Sequence, residues 1–291
     1  MTEQLPLAVP GTAPRPSAEF QLSITRAMRD QLAEGLNGLE AAKLNRDELA
    51  RLSPRPGIYE LYLNGGEPEH RVYVGKATNN LPERLGDHLK KLSGRRGLDI
   101  DEVRFKCLYV NEDLDAASPE KMLIKLYRAD GTAPWNNSGF GGRDLGRNRD
   151  HTVVEAKHFD ARYPIDVSQP IGGLTVGAQQ VRALLSRAKK NLPYLFRYET
   201  KGHLRRDLDA NVTVPSSTLP FIDVIRLALA ALPEGWQATA LPGYMILYKE
   251  SVDYRSASAF WRRQGDLVLE TKGEGFLSDG DVDTDEDEEQ Q

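Results

Sequence analysis

Residues 57–63 (GIYELYL) and 71–77 (RVYVGKA) flank the turn sequence Asn64-Gly65-Gly66. Side chains on an extended chain point alternately to two faces, and both stretches alternate in a way that fits strands of about seven residues. Asparagine followed by glycine is a strong signal for a tight turn between antiparallel strands. The sequence therefore predicts a β-hairpin that carries Tyr59 and Tyr73 on adjacent strands.

Helix caps and apolar spacing predict the elements that follow the hairpin. Asn79-Asn80 supplies a cap for a helix over 81–92, in which leucines recur at helical spacing. Apolar alternation predicts a third strand over about 102–110. Ser118-Pro119 is typical of a helix start, and we expect that helix to run to about residue 128. The predicted fold class is α+β, with a small central antiparallel three-stranded sheet flanked by helices.

The regions around this core differ in composition. Residues 1–18 contain four prolines and little periodicity, which predicts a disordered leader. Amphipathic spacing predicts helices over 20–36 and 39–52, as the N-terminal helical arm of a first domain that spans 19–168. The segment 134–150 is rich in glycine and arginine and is predicted to be a long loop.

The composition changes after Pro170, which predicts a second and smaller α+β unit over 171–278. Within it we expect helices over 176–190 and 219–232 and a hairpin over 236–248. The sequence assigns no role to this unit.

Charge is distributed unevenly along the chain. The whole sequence has 38 basic and 43 acidic residues, a net charge of −5. Eight of the acids lie in the tail 279–291, which contains no base and is predicted to be solvated and disordered. Without those eight, 35 acids remain and the net charge is +3, which neither favours nor excludes nucleic acid as a partner. Competition between the tail and DNA for a basic cleft is the alternative hypothesis.

The single cysteine, Cys107, excludes an intramolecular disulfide and a multi-cysteine zinc site. It lies in an alternating apolar run, which favours a buried strand cysteine over a nucleophile. No stretch reaches the roughly 20 apolar residues needed to span a bilayer, and the N-terminus lacks the pattern of a secretory signal. We therefore expect a cytoplasmic protein without membrane contact.

The hairpin contains the tripeptides Gly57-Ile58-Tyr59 and Tyr73-Val74-Gly75, separated by 13 residues. They resemble the paired motifs of the GIY-YIG nuclease superfamily, although the gap is slightly longer than the common family spacing. The rest of the family pattern follows in matching order and element type, so the resemblance covers about residues 55–140. The matching residues are Arg84, His88, Glu120 and Pro134-Trp135-Asn136.

The continuation of the chain is similar to the restriction-endonuclease branch of this superfamily that cleaves CCGCGG. The similarity is carried by Gly139-Phe140-Gly141, Asp144, Gly146 and Arg149. It implies a type II restriction endonuclease of anti-phage defence, which hydrolyses both strands of a short palindrome in double-stranded DNA. Because a palindrome calls for two-fold symmetry, a homodimer is expected, with a protective DNA methyltransferase as genetic partner.

The resemblance assigns the water-handling roles to the two tyrosines. Hydrolysis of a phosphodiester needs an activated water, which Tyr59 would orient or deprotonate while Tyr73 helps to position water and phosphate. Taken singly, each tyrosine is better explained by packing. Asn136 would orient the tyrosine hydroxyl or the phosphate, and Asn137 is the alternative residue for this role.

Arg84 and His88 lie four residues apart and therefore share one helical face. The guanidinium fork suits a phosphate that carries extra transition-state charge. Histidine ordinarily titrates near neutrality, so His88 could accept a proton from Tyr59 or protonate the leaving oxygen, and the sequence leaves both roles open. Without the surrounding pattern, a solvated surface pair would explain the spacing.

Glu120 is the residue to which the resemblance assigns the metal ion, Mg²⁺ or Mn²⁺. A hard divalent cation is commonly held by one or two carboxylates together with water and substrate phosphate, so a single glutamate suffices. The alternative explanation for an acid in the first turn of a helix is its interaction with the helix dipole.

Four basic residues are candidates for contact with DNA. Arginine bound to guanine O6 and N7 is the commonest specific base contact, whereas phosphate contacts position the protein without reading sequence. Both interpretations stay open for the loop arginines. The candidates are Lys76, Arg143, Arg147 and Arg149.

Two other functions are consistent with the sequence. One is a phage-defence or repair-type GIY-YIG nuclease whose C-terminal unit redirects it to another substrate or binds a protein partner. The other is a non-catalytic DNA-binding module, against which the intact set of site residues argues.

Overall fold

The computed structural model of the chain describes residues 24–63, 70–110, 123–127, 131–141, 146–200 and 202–275. The predicted leader, the turn at 64–66, the helix start at Ser118-Pro119 and the acidic tail lie outside the described residues, as do Glu120 and Arg143. Helices and mainly antiparallel strands make up the described part of the chain, so the predicted α+β class is confirmed.

The first sheet has four antiparallel strands in the order β1-β4-β2-β3. These strands are β1 (Ala42–Lys43), β2 (Gly57–Leu63), β3 (His70–Ala77) and β4 (Val103–Tyr109). The three predicted strands are present, and the edge strand β1 is additional. The prediction of a helix over 39–52 is wrong. Its place is taken by β1 and by the short helix α2 (Arg46–Ala50), which begins where the Asn45 side chain accepts a hydrogen bond from the Glu48 amide.

Helices cover both faces of this sheet. They are α1 (Ile24–Asn37), α3 (Leu81–Leu92), α4 (123–127) and α5 (Phe159–Arg162). On one face Tyr59 and Tyr73 pack in a core with the leucines of α3. On the other face Ile58 and Val74 pack with α1 and α4. The helix α3 has the predicted bounds because the Asn80 side chain caps its first turn at the Glu83 amide.

The second unit is built on a five-stranded sheet in the order β13-β12-β10-β11-β7. All neighbours in it are antiparallel except β11 and β7, which run parallel. Two short two-stranded ladders pair β5 with β9 and β6 with β8. The strands are β5 (Pro170–Ile171), β6 (Gly177–Gln180), β7 (Leu195–Tyr198), β8 (Asn211–Val214), β9 (Leu219–Pro220), β10 (Trp236–Leu241), β11 (Tyr244–Lys249), β12 (Ala259–Gln264) and β13 (Leu267–Lys272).

Two helices, α6 (Val181–Asn191) and α7 (Phe221–Ala231), pack with the five-stranded sheet in the most extensive hydrophobic cluster among the described residues. The predicted hairpin over 236–248 is confirmed as β10 and β11. The predicted helices begin later than expected, because the residues before α6 and α7 pair as the strands β6 and β9.

Polar contacts join the two units. Two short 3₁₀ turns, Pro134–Asn137 and Gly146–Arg149, lie within the segment that was predicted to be a loop, and Arg147 of the second turn contacts the Tyr248 ring of β11. There, Asp150 is buried and accepts hydrogen bonds from Arg197 and from the Tyr244 hydroxyl. None of the helices in the described ranges combines the length and the apolar character needed to cross a membrane.

Candidate active site

The Tyr59 hydroxyl lies between two polar side chains of α3. Its oxygen is 2.6 Å from Nε2 of His88, and Nε of Arg84 donates a hydrogen bond to it at 3.2 Å. The leucine stripe of α3 packs on the sheet, which turns the edge that carries Arg84 and His88 toward β2. The structure thus brings together three of the predicted catalytic residues, although His88 is 29 positions from Tyr59.

Tyr73 and Phe140 complete an aromatic cluster around His88. The ring centroids of Tyr73 and His88 are 5.4 Å apart, and Phe140 stacks on the imidazole at 4.9 Å with an interplanar angle of 20°. Tyr59, His88 and Phe140 are buried, whereas Arg84 is half-buried. Arg84 is therefore the member of this group that solvent reaches most readily.

The loop that carries Phe140 packs closely against Tyr73 because the next residue is Gly141. A Cβ atom on Gly141 would lie 2.8 Å from the hydroxyl oxygen of Tyr73, closer than real side chains approach. Glycine at this position lets the backbone lie against Tyr73 and holds Phe140 over His88. The motif Gly139-Phe140-Gly141 therefore contributes to the shape of the candidate site.

Burial and neighbouring charges shift the pKa values of His88 and Arg84. Burial lowers the pKa of His88 well below its ordinary value, and the neighbouring cations Arg84 and Lys91 lower it further. Burial also works against the charge on Arg84, but its interactions with Tyr59 and Tyr73 outweigh burial and raise its pKa. At neutral pH the site therefore holds a neutral imidazole and a charged guanidinium on the same phenol oxygen.

Asn136 makes contacts that differ from its predicted role. Its amide oxygen accepts from the Val74 backbone N–H at 2.9 Å, and its amide nitrogen donates to the Val74 carbonyl at 2.8 Å. Both ends of the amide thus bind the strand between Tyr73 and Gly75. These contacts hold β3 beside Tyr73, and the role of Asn136 toward the tyrosine hydroxyl or the phosphate stays a prediction.

Two further predicted residues are Lys76, a candidate contact for DNA, and Glu120. Alternation along β3 puts Lys76 on the face of Val74, opposite to Tyr73. Glu120, the predicted metal ligand, lies outside the described residues. Within those residues, no group of three or more histidine, cysteine, aspartate or glutamate side chains could hold a metal ion.

The predicted DNA-reading arginines lie at the junction of the two units. Arg147 pairs with Glu199 at 2.9 Å, and its guanidinium lies 4.1 Å from the ring centroid of Tyr248. Arg149 donates to Asp160 at 2.6 Å. Both side chains therefore contact the C-terminal unit or the residues beside it, which the sequence did not indicate.

An ion-pair cluster around Asp160 is the main feature that the sequence did not reveal. Asp160 is buried and binds Arg149 on one side and the equally buried Arg95 on the other, at 2.9 Å. These cations hold the pKa of Asp160 below its ordinary value against the effect of burial. Neither Asp160 nor Arg95 lies in a motif or at a periodic position, so only the folded arrangement identifies them.

Comparison with models of known protein families and with curated proteins finds no match to this chain.

Proposed function

We propose that this chain is a metal-dependent DNA endonuclease of the GIY-YIG type. The observation that carries the proposal is the Tyr59 hydroxyl held between Nε2 of His88 and Nε of Arg84. A packing tyrosine needs one hydrogen-bond partner when buried. A phenol shared by a neutral imidazole and a guanidinium is instead arranged to lose a proton.

The geometry favours one of the two roles that the sequence leaves open for His88. Because Arg84 donates to the phenol oxygen, the hydroxyl hydrogen is directed to Nε2 of His88. The lowered pKa keeps His88 neutral before the reaction, so Nε2 can accept the Tyr59 proton and His88 does not begin the reaction as an acid. The proton of the attacking water would pass to Tyr59 as the Tyr59 proton passes to His88.

Arg84 would stabilise negative charge at two places during the reaction, on the Tyr59 oxygen and on the phosphate. It stabilises charge on the Tyr59 oxygen, and as the most exposed of the cluster it is available to a phosphate. Mg²⁺ or Mn²⁺ on Glu120 stays part of the proposal; a bound ion would supply further charge stabilisation at the scissile phosphate.

Within this reaction class, we propose a type II restriction endonuclease that acts as a homodimer on a palindrome. The ion pairs of Arg147 and Arg149 favour a second candidate, since these arginines are engaged within the chain. That candidate is a phage-defence or repair-type nuclease whose C-terminal unit selects another substrate.

Cleavage of unmethylated plasmid in the presence of Mg²⁺ tests these alternatives. Discrete fragments support the restriction enzyme, and nicking or smearing supports the second candidate. Tyr59→Phe keeps the ring and removes the hydroxyl, so it serves as the inactive control. A wild-type protein that leaves the plasmid intact with Mg²⁺ and with Mn²⁺ would overturn the nuclease proposal. Glu120→Ala should abolish cleavage while it leaves DNA binding largely unchanged, and continued cutting would show the metal assignment to be wrong.

A further inference from the structure

A cavity of about 410 Å³ lies between α3 of the first unit and α6 of the second. Its wall includes Lys90 and Lys91 near the end of α3 and Lys189 near the end of α6. Lys90 and Lys189 are exposed, so the cavity opens to solvent. Neither unit forms this cavity alone.

The charges that line the cavity do not balance. Its described lining has five cations and two carboxylates, Asp87 and Asp160. Asp160 already binds both Arg95 and Arg149. Placing excess positive charge in a partly desolvated space is costly unless an anion neutralises it. The cations are Lys90, Lys91, Arg95, Arg149 and Lys189.

The cavity adjoins the candidate active site. The Lys91 ammonium lies 5.0 Å from the ring centroid of Phe140, and the same ring stacks on His88. Arg84 and Lys91 are seven residues apart on α3, which corresponds to about 10 Å along the helix axis. The two side chains are therefore close enough to contact neighbouring phosphates of one strand.

We infer that this cavity binds a backbone phosphate of the DNA strand that passes through the active site, close to the scissile bond. The inference rests on the proposed nuclease function and gives the C-terminal unit a role in it, because Lys189 comes from that unit. Phosphate esters of a small phosphorylated molecule share the same chemistry, and the test below separates the two sources.

Salt dependence of DNA binding by the full chain tests the inference, with EDTA present so that no cleavage occurs. The double variant Lys90→Gln/Lys189→Gln should bind every duplex more weakly, and the slope of log K against log salt should become shallower by about 1 for a lost phosphate contact. The matched control Lys190→Gln/Lys272→Gln removes the same charge from exposed residues that do not line the cavity. It should change the slope by clearly less.

Other results would overturn the inference in distinguishable ways. Equal slopes for the cavity variant and its control would mean that only overall charge matters. If the cavity variant loses binding of inorganic pyrophosphate but keeps the wild-type DNA slope, the cavity holds a small phosphorylated ligand instead. A wild type that binds DNA with the expected slopes yet never cuts it would refute the nuclease function and leave the phosphate site standing. A wild type that binds no DNA would refute both.

Discussion

Gly75 lies directly against the ring of Tyr59. A Cβ atom at this position would be 2.8 Å from Cε2 of Tyr59 and closer still to its hydroxyl group. The two residues are paired across β2 and β3, so the strand register itself brings them together. The absence of a side chain on Gly75 is therefore what leaves room for the Tyr59 hydroxyl to reach His88.

Gly75→Ala should reduce the cleavage rate by about 10²-fold, because a displacement of the hydroxyl by about 1 Å is enough to misalign it. Single-turnover rates on plasmid DNA measure the effect, and DNA binding reports whether the variant is folded. Gly86→Ala is the matched control, since a Cβ atom there meets nothing within 4 Å. It should keep wild-type rates and gain up to about 1 kcal/mol in stability, as alanine replaces glycine within a helix. Unchanged cleavage by Gly75→Ala would contradict the assigned position of Tyr59.

The buried imidazole of His88 should make stability depend on pH. In the unfolded chain histidine titrates near pH 6.5, whereas burial and then the charges of Arg84 and Lys91 lower the pKa of His88 in the folded protein. Below about pH 6.5 the unfolded state therefore binds more protons. The contribution of His88 to stability is fully present above that pH and falls below it, by up to about 1.4 kcal/mol per pH unit.

Urea denaturation between pH 8 and pH 5 measures this slope. The variant His88→Gln should lose most of it, although His158 also has a lowered pKa and contributes in the same window. The difference between wild type and variant isolates His88. An identical slope in both proteins would mean that the folded imidazole titrates normally.

The elements that position Tyr59 could be predicted because each is set by local signals. Alternation gives β2 and β3, and the Asn80 cap with its leucine stripe gives α3. Local signals fail where pairing is long-range. The strand β1 exists because Ala42 and Lys43 pair with Phe105 and Arg104 of β4, about sixty residues away, and no pattern of two residues reveals that.

The candidate site likewise has a part that the sequence predicts and a part that it does not. The order of the tyrosines, Arg84 and His88 could be read from the sequence through the resemblance to a known family. The contacts of Asn136 could not, since an asparagine side chain serves a backbone as readily as a substrate. The partners of Arg147 and Arg149 come from the packing of a second unit, which no sequence signal near the loop specifies.

Asp160 should be among the most important polar residues for stability. Asp160→Asn removes the anion but keeps the shape, which leaves the buried guanidinium of Arg95 without its charge partner. Breaking a buried ion pair from one side costs about 3–5 kcal/mol, and urea denaturation measures the loss. Asp253→Asn is the control, because its carboxylate is 80% exposed and its pair with Arg262 should contribute less than about 1 kcal/mol. Equal effects of the two substitutions would contradict the role assigned to Asp160.

Binding of a phosphate in the cavity between the units should take up protons at pH 8. Burial lowers the pKa of Lys91 to about 8, so roughly half of the ammonium groups are deprotonated at that pH. A phosphate favours the charged form, so binding should add up to about half a proton to each molecule. Calorimetric titration of duplex DNA into the protein in two buffers of different ionisation enthalpy gives this number. The Lys91→Met variant should bind DNA with little proton uptake at pH 8. Proton uptake equal to that of the wild type would place the titrating group elsewhere.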